Sequence, residues 1–435
     1  MNETAAPDAS ATRRLLRGQV ATVTLLVIGY SGYYLCRSNL SVCLPLLIED
    51  LARRGTNPDS ARILFGSIAS VGVLGYAIGK FPSGSLADLF GGRRNFLGGM
   101  IGTILFTLLF AASGALPLFT IAWIGNRVVQ SLGWAGAVKI TSRWFPFRQY
   151  GSVMAIVSLS YLFGDAAARQ FMAALIARGL GWRAVFVVDA LVLTALCAAS
   201  FLWLRNSPPS GVGVEERHLH PASVFREDRA AEDRTVVALL RPLIQSRVFW
   251  AACVLSLGTT ILRETFNVWT PTYFTQAAGM TPAEAAANSA WFSFIGGVSV
   301  IVCGVVSDRF GRGGRSALMR SGLTLATLVL LLLASGWTVR AHISPVIPIA
   351  AVAFLTIGPY SFLAGAVALD LGGQKGGGTA SGLIDGVGYL GGVLSGDSMA
   401  RISVAFGWSG AFAVLAGIAA LSAATAGVFS IYERG

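Results

Sequence analysis

Arg37, Lys80 and Arg263 each lie inside a long apolar stretch of the sequence. On insertion scales a charge at the centre of a membrane span costs about 2.5–3.5 kcal/mol, so three unpaired ones would cost roughly 8–10 kcal/mol. Such groups must face an aqueous cavity or a partner. Arginine offers a planar fork of N–H donors that matches two oxygens of a phosphate or carboxylate, and lysine adds a compact point charge. The chemistry on offer is the binding of an oxyanion. For Arg37 and Arg263 the competing reading is a structural ion pair or a side chain snorkelling to the interface. Snorkelling suits span ends, and Arg263 has about fifteen residues of its apolar segment before it and about a dozen after, so the ligand reading is preferred. Lys80 is even between two readings. Tyr76 precedes it by one helical turn and shares its face, so the two could line a cavity; Asp88 and Gly91 follow soon after and would put Lys80 near a helix end.

Other polar residues share faces with these cations. Tyr33 lies four before Arg37 and Asn267 four after Arg263, and either could donate to an anion or serve as helix-packing glue. Asp385 and Tyr389 form a third four-residue pair, and Tyr161 is a further candidate for the cavity wall. Glu264 is adjacent to Arg263, about 100° around a helix, and could tune that arginine or carry a proton. Asp165 and Arg169 have the spacing of a local ion pair, which is preferred over a coupling role for Asp165. Lys139, close before Arg143, reads as structural.

The elements that must hold these groups are membrane helices. Of 435 residues, 54% are hydrophobic and 12% charged, against about 25% charged in soluble domains. Each span needs about 20 apolar residues. The sequence predicts spans at 19–47, 61–86, 95–115, 117–142, 150–176 and 183–204, then 247–276, 284–306, 317–337, 346–371, 378–401 and 408–431. This is an all-α polytopic chain: a polar tail 1–18, a six-helix bundle 19–204, a linker 205–246 rich in Arg with Pro208 and Pro209, and a second bundle 247–432. The first apolar run is too long for a signal-peptide core and reads as an uncleaved span. With the N-terminus inside, twenty Lys and Arg fall on inside segments, seven outside and six within spans, so both termini are expected in the cytoplasm. Cys36, Cys43, Cys197, Cys253 and Cys303 sit in apolar stretches without metal spacing and read as small apolar residues. His218, His220 and His342 lie in polar segments. The net charge of +12 is a topology signal; no nucleic-acid motif accompanies it. No cofactor, metal site or catalytic group is expected, and the partner implied is the lipid bilayer.

The two halves echo each other. Arg37 and Arg263 lie 226 positions apart, as do Gly181-Trp182 and Gly407-Trp408. GSLADLFGGRR, from Gly84 through Asp88 to Arg93 and Arg94, echoes GVVSDRFGR, from Gly304 through Asp308 and Arg309 to Arg312, at an offset of 220. Internal repeats are how transporter folds are built, with the site at their interface. In these loops the aspartate can cap a helix or pair with a base, and Gly91 or Gly311 permits a tight turn.

GVVSDRFGR closely resembles the loop motif of the major facilitator superfamily; the first copy departs from it at Leu89 and the extra Gly92. YYLCRSNL, YAIGKF, QSLGW, LRETFNVWTPTYF and GTASGLIDGVGYLGG together resemble the organophosphate:inorganic phosphate antiporters over nearly all of the membrane portion. The resemblance implies exchange of a phosphorylated metabolite against inorganic phosphate by rocking of two halves, with Arg37 and Arg263 gripping the phosphate. It also implies a His in helix 5 and a Pro-Pro followed by Arg in helix 4; here Ser160 stands near the first position and Gly133 to Lys139 run through the second. A monomer in a bacterial inner membrane is expected. The alternatives are a proton- or cation-coupled symporter of an organic anion such as a carboxylate, which an exposed titratable Glu264, Asp165 or Asp385 would favour, and a membrane sensor of sugar phosphates.

Overall fold

The computed structural model describes residues 9–208, 243–310, 312–341, 343–363 and 367–432. Most of the linker, His218, His220, His342 and Gly311 lie outside them. The described residues are helical nearly throughout, with no strand among them. The helices are α1 (Ala9–Arg53), α2 (Pro58–Phe90), α3 (Gly92–Ala112), α4 (Leu116–Trp144), α5 (Phe147–Ala177), α6 (Trp182–Trp203), α7 (Arg247–Ala277), α8 (Pro282–Phe310), α9 (Arg312–Ala334), the single turn α10 (Trp337–Arg340), α11 (Val346–Ser361) and α12 (Ala368–Tyr432). Among the described residues, seven helical stretches are long and apolar enough to cross a bilayer.

Local chemistry sets the helix starts. At α8, Thr281 N donates to Glu284 Oε2 at 2.9 Å and Glu284 N to Thr281 Oγ1 at 3.3 Å, a reciprocal cap with Pro282 at the first helical position. At α2, Asn57 Oδ1 accepts from Asp59 N at 2.8 Å. A continuous helix of 65 residues like α12 would run roughly 98 Å, against a hydrocarbon core of about 30 Å. The chain turns within it at Gly407, whose φ of 67° only glycine adopts without strain. Thus α12 holds both of the last two predicted spans.

Two boundaries differ from expectation. The α-helical part of α11 ends at Ser361, and a wider turn closed by Val367 N donating to Phe362 O at 3.0 Å leads on to α12. Helix α12 begins at Ala368, so the segment through Lys375 and the glycines after it is helical where a loop is predicted. Glycine disfavours helix by about 1 kcal/mol relative to alanine, but a backbone near lipid has to satisfy its own hydrogen bonds, which favours the helix.

The chain forms two compact units: Met1–Arg37, Gly75–Gly164 and Phe186–Ser223, and Ser38–Leu74, Asp165–Val185 and Val224–Gly435. They do not coincide with the two sequence halves, because parts of α1, α2, α5 and α6 group with the helices that follow the linker. The first unit is centred on Tyr30, Tyr33, Phe96, Met100, Ile140, Trp144 and Leu193. In the second, the ring of Phe266 stacks on those of Phe292 and Phe412, with centroids 5.3 and 6.3 Å apart. Lipid is as apolar as these side chains, so close packing rather than escape from water holds the helices together. Ile101, Leu105 and Leu108 on α3 and Leu325, Leu328, Leu331 and Leu332 on α9 form exposed stripes, the apolar faces a bilayer would cover.

Candidate functional site

In the first unit, three cations from three helices meet on one aromatic ring. Arg37 Cζ of α1 lies 4.5 Å from the Tyr76 ring centroid, Lys80 Nζ of α2 5.4 Å and Arg127 Cζ of α4 5.2 Å. Arg37 also lies 5.2 Å from the Tyr34 ring. Tyr76 is buried, while Arg37 and Lys80 are half-buried. An aromatic face attracts a cation electrostatically, most strongly where water is excluded. The ring therefore holds side chains that would otherwise repel one another, an arrangement whose chemistry suits an anion.

Tyr33 belongs elsewhere. Its hydroxyl donates to Phe96 O at 2.5 Å, and its ring fills the space over Gly133, where a Cβ would come within 2.8 Å of it. Of the two roles expected for it, anion donor or helix-packing glue, these contacts are those of packing. Tyr33 faces the α3–α4 packing, 2% exposed. Tyr161 is half-buried against the same core. Ser160, where the resemblance implies histidine, turns its hydroxyl back to Val157 O of its own helix.

The first loop motif is partly visible. Gly91 takes φ 88° at the α2–α3 turn. Arg93 N donates to Asn206 Oδ1 at 2.7 Å, and its guanidinium donates to Phe201 O in the last turn of α6, where the helix dipole favours a cation. A Cβ on Gly84 or Gly304 would meet nothing, so packing does not require glycine there. Arg309 is exposed. The side chains of Asp88, Asp308 and Arg312 lie outside the described part.

In the second unit, Arg263 Nη2 donates to Glu264 Oε1 at 2.7 Å, and Arg263 Cζ lies 4.6 Å from the Tyr360 ring centroid. The two side chains bend together despite the 100° between their positions. Asp385 is half-buried and Tyr389 buried on α12.

A second polar group in this unit is built on α5. Arg169 Nε pairs with Asp165 Oδ2 at 2.8 Å, the two side chains only 3% and 7% exposed. Ser38 of α1 and Ser293 of α8 also donate to Asp165. Arg169 reaches Ser289 Oγ at 3.1 Å and Asn267 O at 2.9 Å, and Ser41 donates to Asn267 O at 2.6 Å. Asn267 thus enters through its backbone carbonyl. Farther along, Ser67 of α2 donates to Asp397 Oδ1 of α12 at 2.6 Å. These bonds tie helices that precede the linker to helices that follow it.

Sequence reasoning gave no role to Arg127, Tyr360 or Asp189, the last a wholly buried acid in α6. The signal for Arg127 and Asp189 was the one that singled out Arg37: a charge inside an apolar run. Tyr360 carried none.

Long apolar helices with exposed lipid-facing stripes and charged clusters inside define a polytopic integral membrane protein of the transporter class. The chain belongs to the major facilitator superfamily: the family described as Major Facilitator Superfamily matches residues 26–396. It is 26% identical over 402 residues to a glycerol-3-phosphate transporter of Bacillus subtilis, covering 90% of this chain and 87% of that one. It is 25% identical over 414 residues to a probable hexose phosphate transport protein of Chlamydia pneumoniae, covering 91% and 88%. In fold it matches a solved bacterial homologue of the human lysosomal transporter Spinster, with TM-score 0.75 and 14% identity over 95% of this chain and 97% of that one.

Proposed function

We propose that this protein exchanges a phosphorylated organic metabolite, of the glycerol phosphate or sugar phosphate class, for inorganic phosphate by alternating access. The observation that carries the reading is the convergence of Arg37, Lys80 and Arg127 on Tyr76 within membrane helices. Charges so placed are functional by default, and guanidinium forks match phosphate oxygens. Arg37 and Arg263, at repeat-equivalent positions, are the phosphate ligands, with Lys80 as auxiliary charge. Relatives named for glycerol-3-phosphate and hexose phosphate transport support the same substrate class. Glu264 and Asp165 are both engaged by arginines rather than exposed, which favours anion exchange over proton uptake. The protein is proposed to act as a monomer in a bacterial inner membrane with both termini in the cytoplasm.

The test is entry of labelled phosphate into proteoliposomes loaded with phosphate or left empty, with phosphate esters as competitors. Entry that requires internal phosphate supports exchange. Proton-coupled symport of an organic anion is the second reading, and Asp189, buried within α6, is the observation on its side. Uptake into empty vesicles that follows a pH gradient would decide for it.

A further inference from the structure

We propose that Arg127 sets the charge state of the phosphate group this protein accepts, favouring a doubly charged monoester or free phosphate over a singly charged diester; the proposal rests on the phosphate reading above. Arg127 is 4% exposed, and its Cζ lies 5.2 Å from the centroid of the ring that also carries Arg37 and Lys80. Its position is fixed by buried amides on both sides of it in α4. Asn126 Nδ2 donates to Thr107 Oγ1 at 2.9 Å, and Gln130 Nε2 donates to Asn126 Oδ1 at 2.6 Å and to Cys36 O at 3.2 Å. The last bond ends one residue before Arg37, so α4 and α1 are held in register and the two guanidinium groups keep their places about Tyr76.

An arginine at this burial acts on a ligand through its field more than by contact. Its charge is permanent, because guanidinium does not deprotonate in proteins. Through a medium less polar than water that field rewards each further negative charge on the ligand. A phosphodiester brings one negative charge into that field, whereas a monoester dianion brings two and gains correspondingly more. Among the described residues, titratable groups in the same part of the unit include Lys80, Tyr76, Tyr33, Tyr34, Cys36, Cys197 and Asp189, whose carboxylate acts electrostatically on Cys36. Were Asp189 to cancel Arg127, removing the arginine's charge would leave selectivity untouched.

The experiment follows labelled phosphate entry into phosphate-loaded proteoliposomes at one fixed pH, with methyl phosphate or dimethyl phosphate as competitor. The quantity read is the ratio of their inhibition constants. Wild-type protein is expected to prefer methyl phosphate. In Arg127→Gln the ratio should fall about tenfold, the scale of one unit charge felt at roughly 10 Å through an effective dielectric of about 20. Arg127→Lys should keep the ratio. Arg127→Leu gives the same reading without burying an unsatisfied amide. A purely structural arginine would lower the amount of folded protein or its turnover and leave the ratio alone. Wild-type exchange with a ratio that survives in Arg127→Gln or Arg127→Leu would overturn this proposal alone; no phosphate exchange in wild-type protein would overturn the phosphate reading and the proposal with it.

Discussion

Glu264 accepts a hydrogen bond from its own chain neighbour, Arg263, at 2.7 Å. On the proposed reading an anion arriving at Arg263 would compete with that carboxylate, and the pair would set how tightly the anion is held. Glu264→Gln removes the competing charge. The KM for phosphate is expected to fall several-fold, up to about tenfold, which corresponds to roughly 1.4 kcal/mol. Exchange rates against external phosphate concentration measure this; an unchanged or higher KM would show that Glu264 does not restrain Arg263.

The Asp165–Arg169 pair is buried and multiply hydrogen-bonded. Removing one partner of such a pair costs about 3–5 kcal/mol, because the other charge stays buried. Asp165→Asn should lower the thermal unfolding midpoint in detergent markedly, and Asp165→Asn combined with Arg169→Gln should recover part of the loss. Strict additivity would mean that the pair is not coupled.

Tyr33→Phe deletes only the hydroxyl that donates to Phe96 O. A stability loss of about 1 kcal/mol is expected, on the scale of one hydrogen bond, with the KM for phosphate unchanged. A several-fold rise in KM at full stability would return Tyr33 to the anion site.

Asp189→Asn separates the two functional readings. An anion exchanger should still exchange phosphate at equal pH on both sides and lose mainly stability. A proton-coupled symporter should lose gradient-driven uptake while still exchanging bound anion at equilibrium. Paired uptake and equilibrium-exchange assays on one preparation distinguish them.

Much of this was legible in the sequence, for identifiable reasons. Hydropathy located the helices because a bilayer imposes a length on every span. Charge rarity located Arg37, Lys80 and Arg263 because insertion makes each such residue expensive. Spacing gave the Asp165–Arg169 pair, since four residues is a local geometry. Tertiary facts were not legible. That Tyr33 points into the α3–α4 packing depends on Gly99 and Gly133, far away in sequence. The stack of Arg263 on Tyr360 joins residues almost a hundred positions apart. The helix that runs from Ala368 through the following glycines shows that glycine-rich composition is a weak guide to loops where lipid penalises an open backbone.

The most direct measurement is phosphate counterflow in proteoliposomes for wild-type protein, Arg37→Ala and Arg263→Ala, each purified and checked for folding. The prediction is entry of labelled phosphate that requires internal phosphate in the wild type and falls at least about a hundredfold in both variants, the loss of roughly 2.8 kcal/mol or more expected from a charge-assisted bidentate contact. Full exchange by either folded variant, or no phosphate exchange by folded wild-type protein, would contradict it.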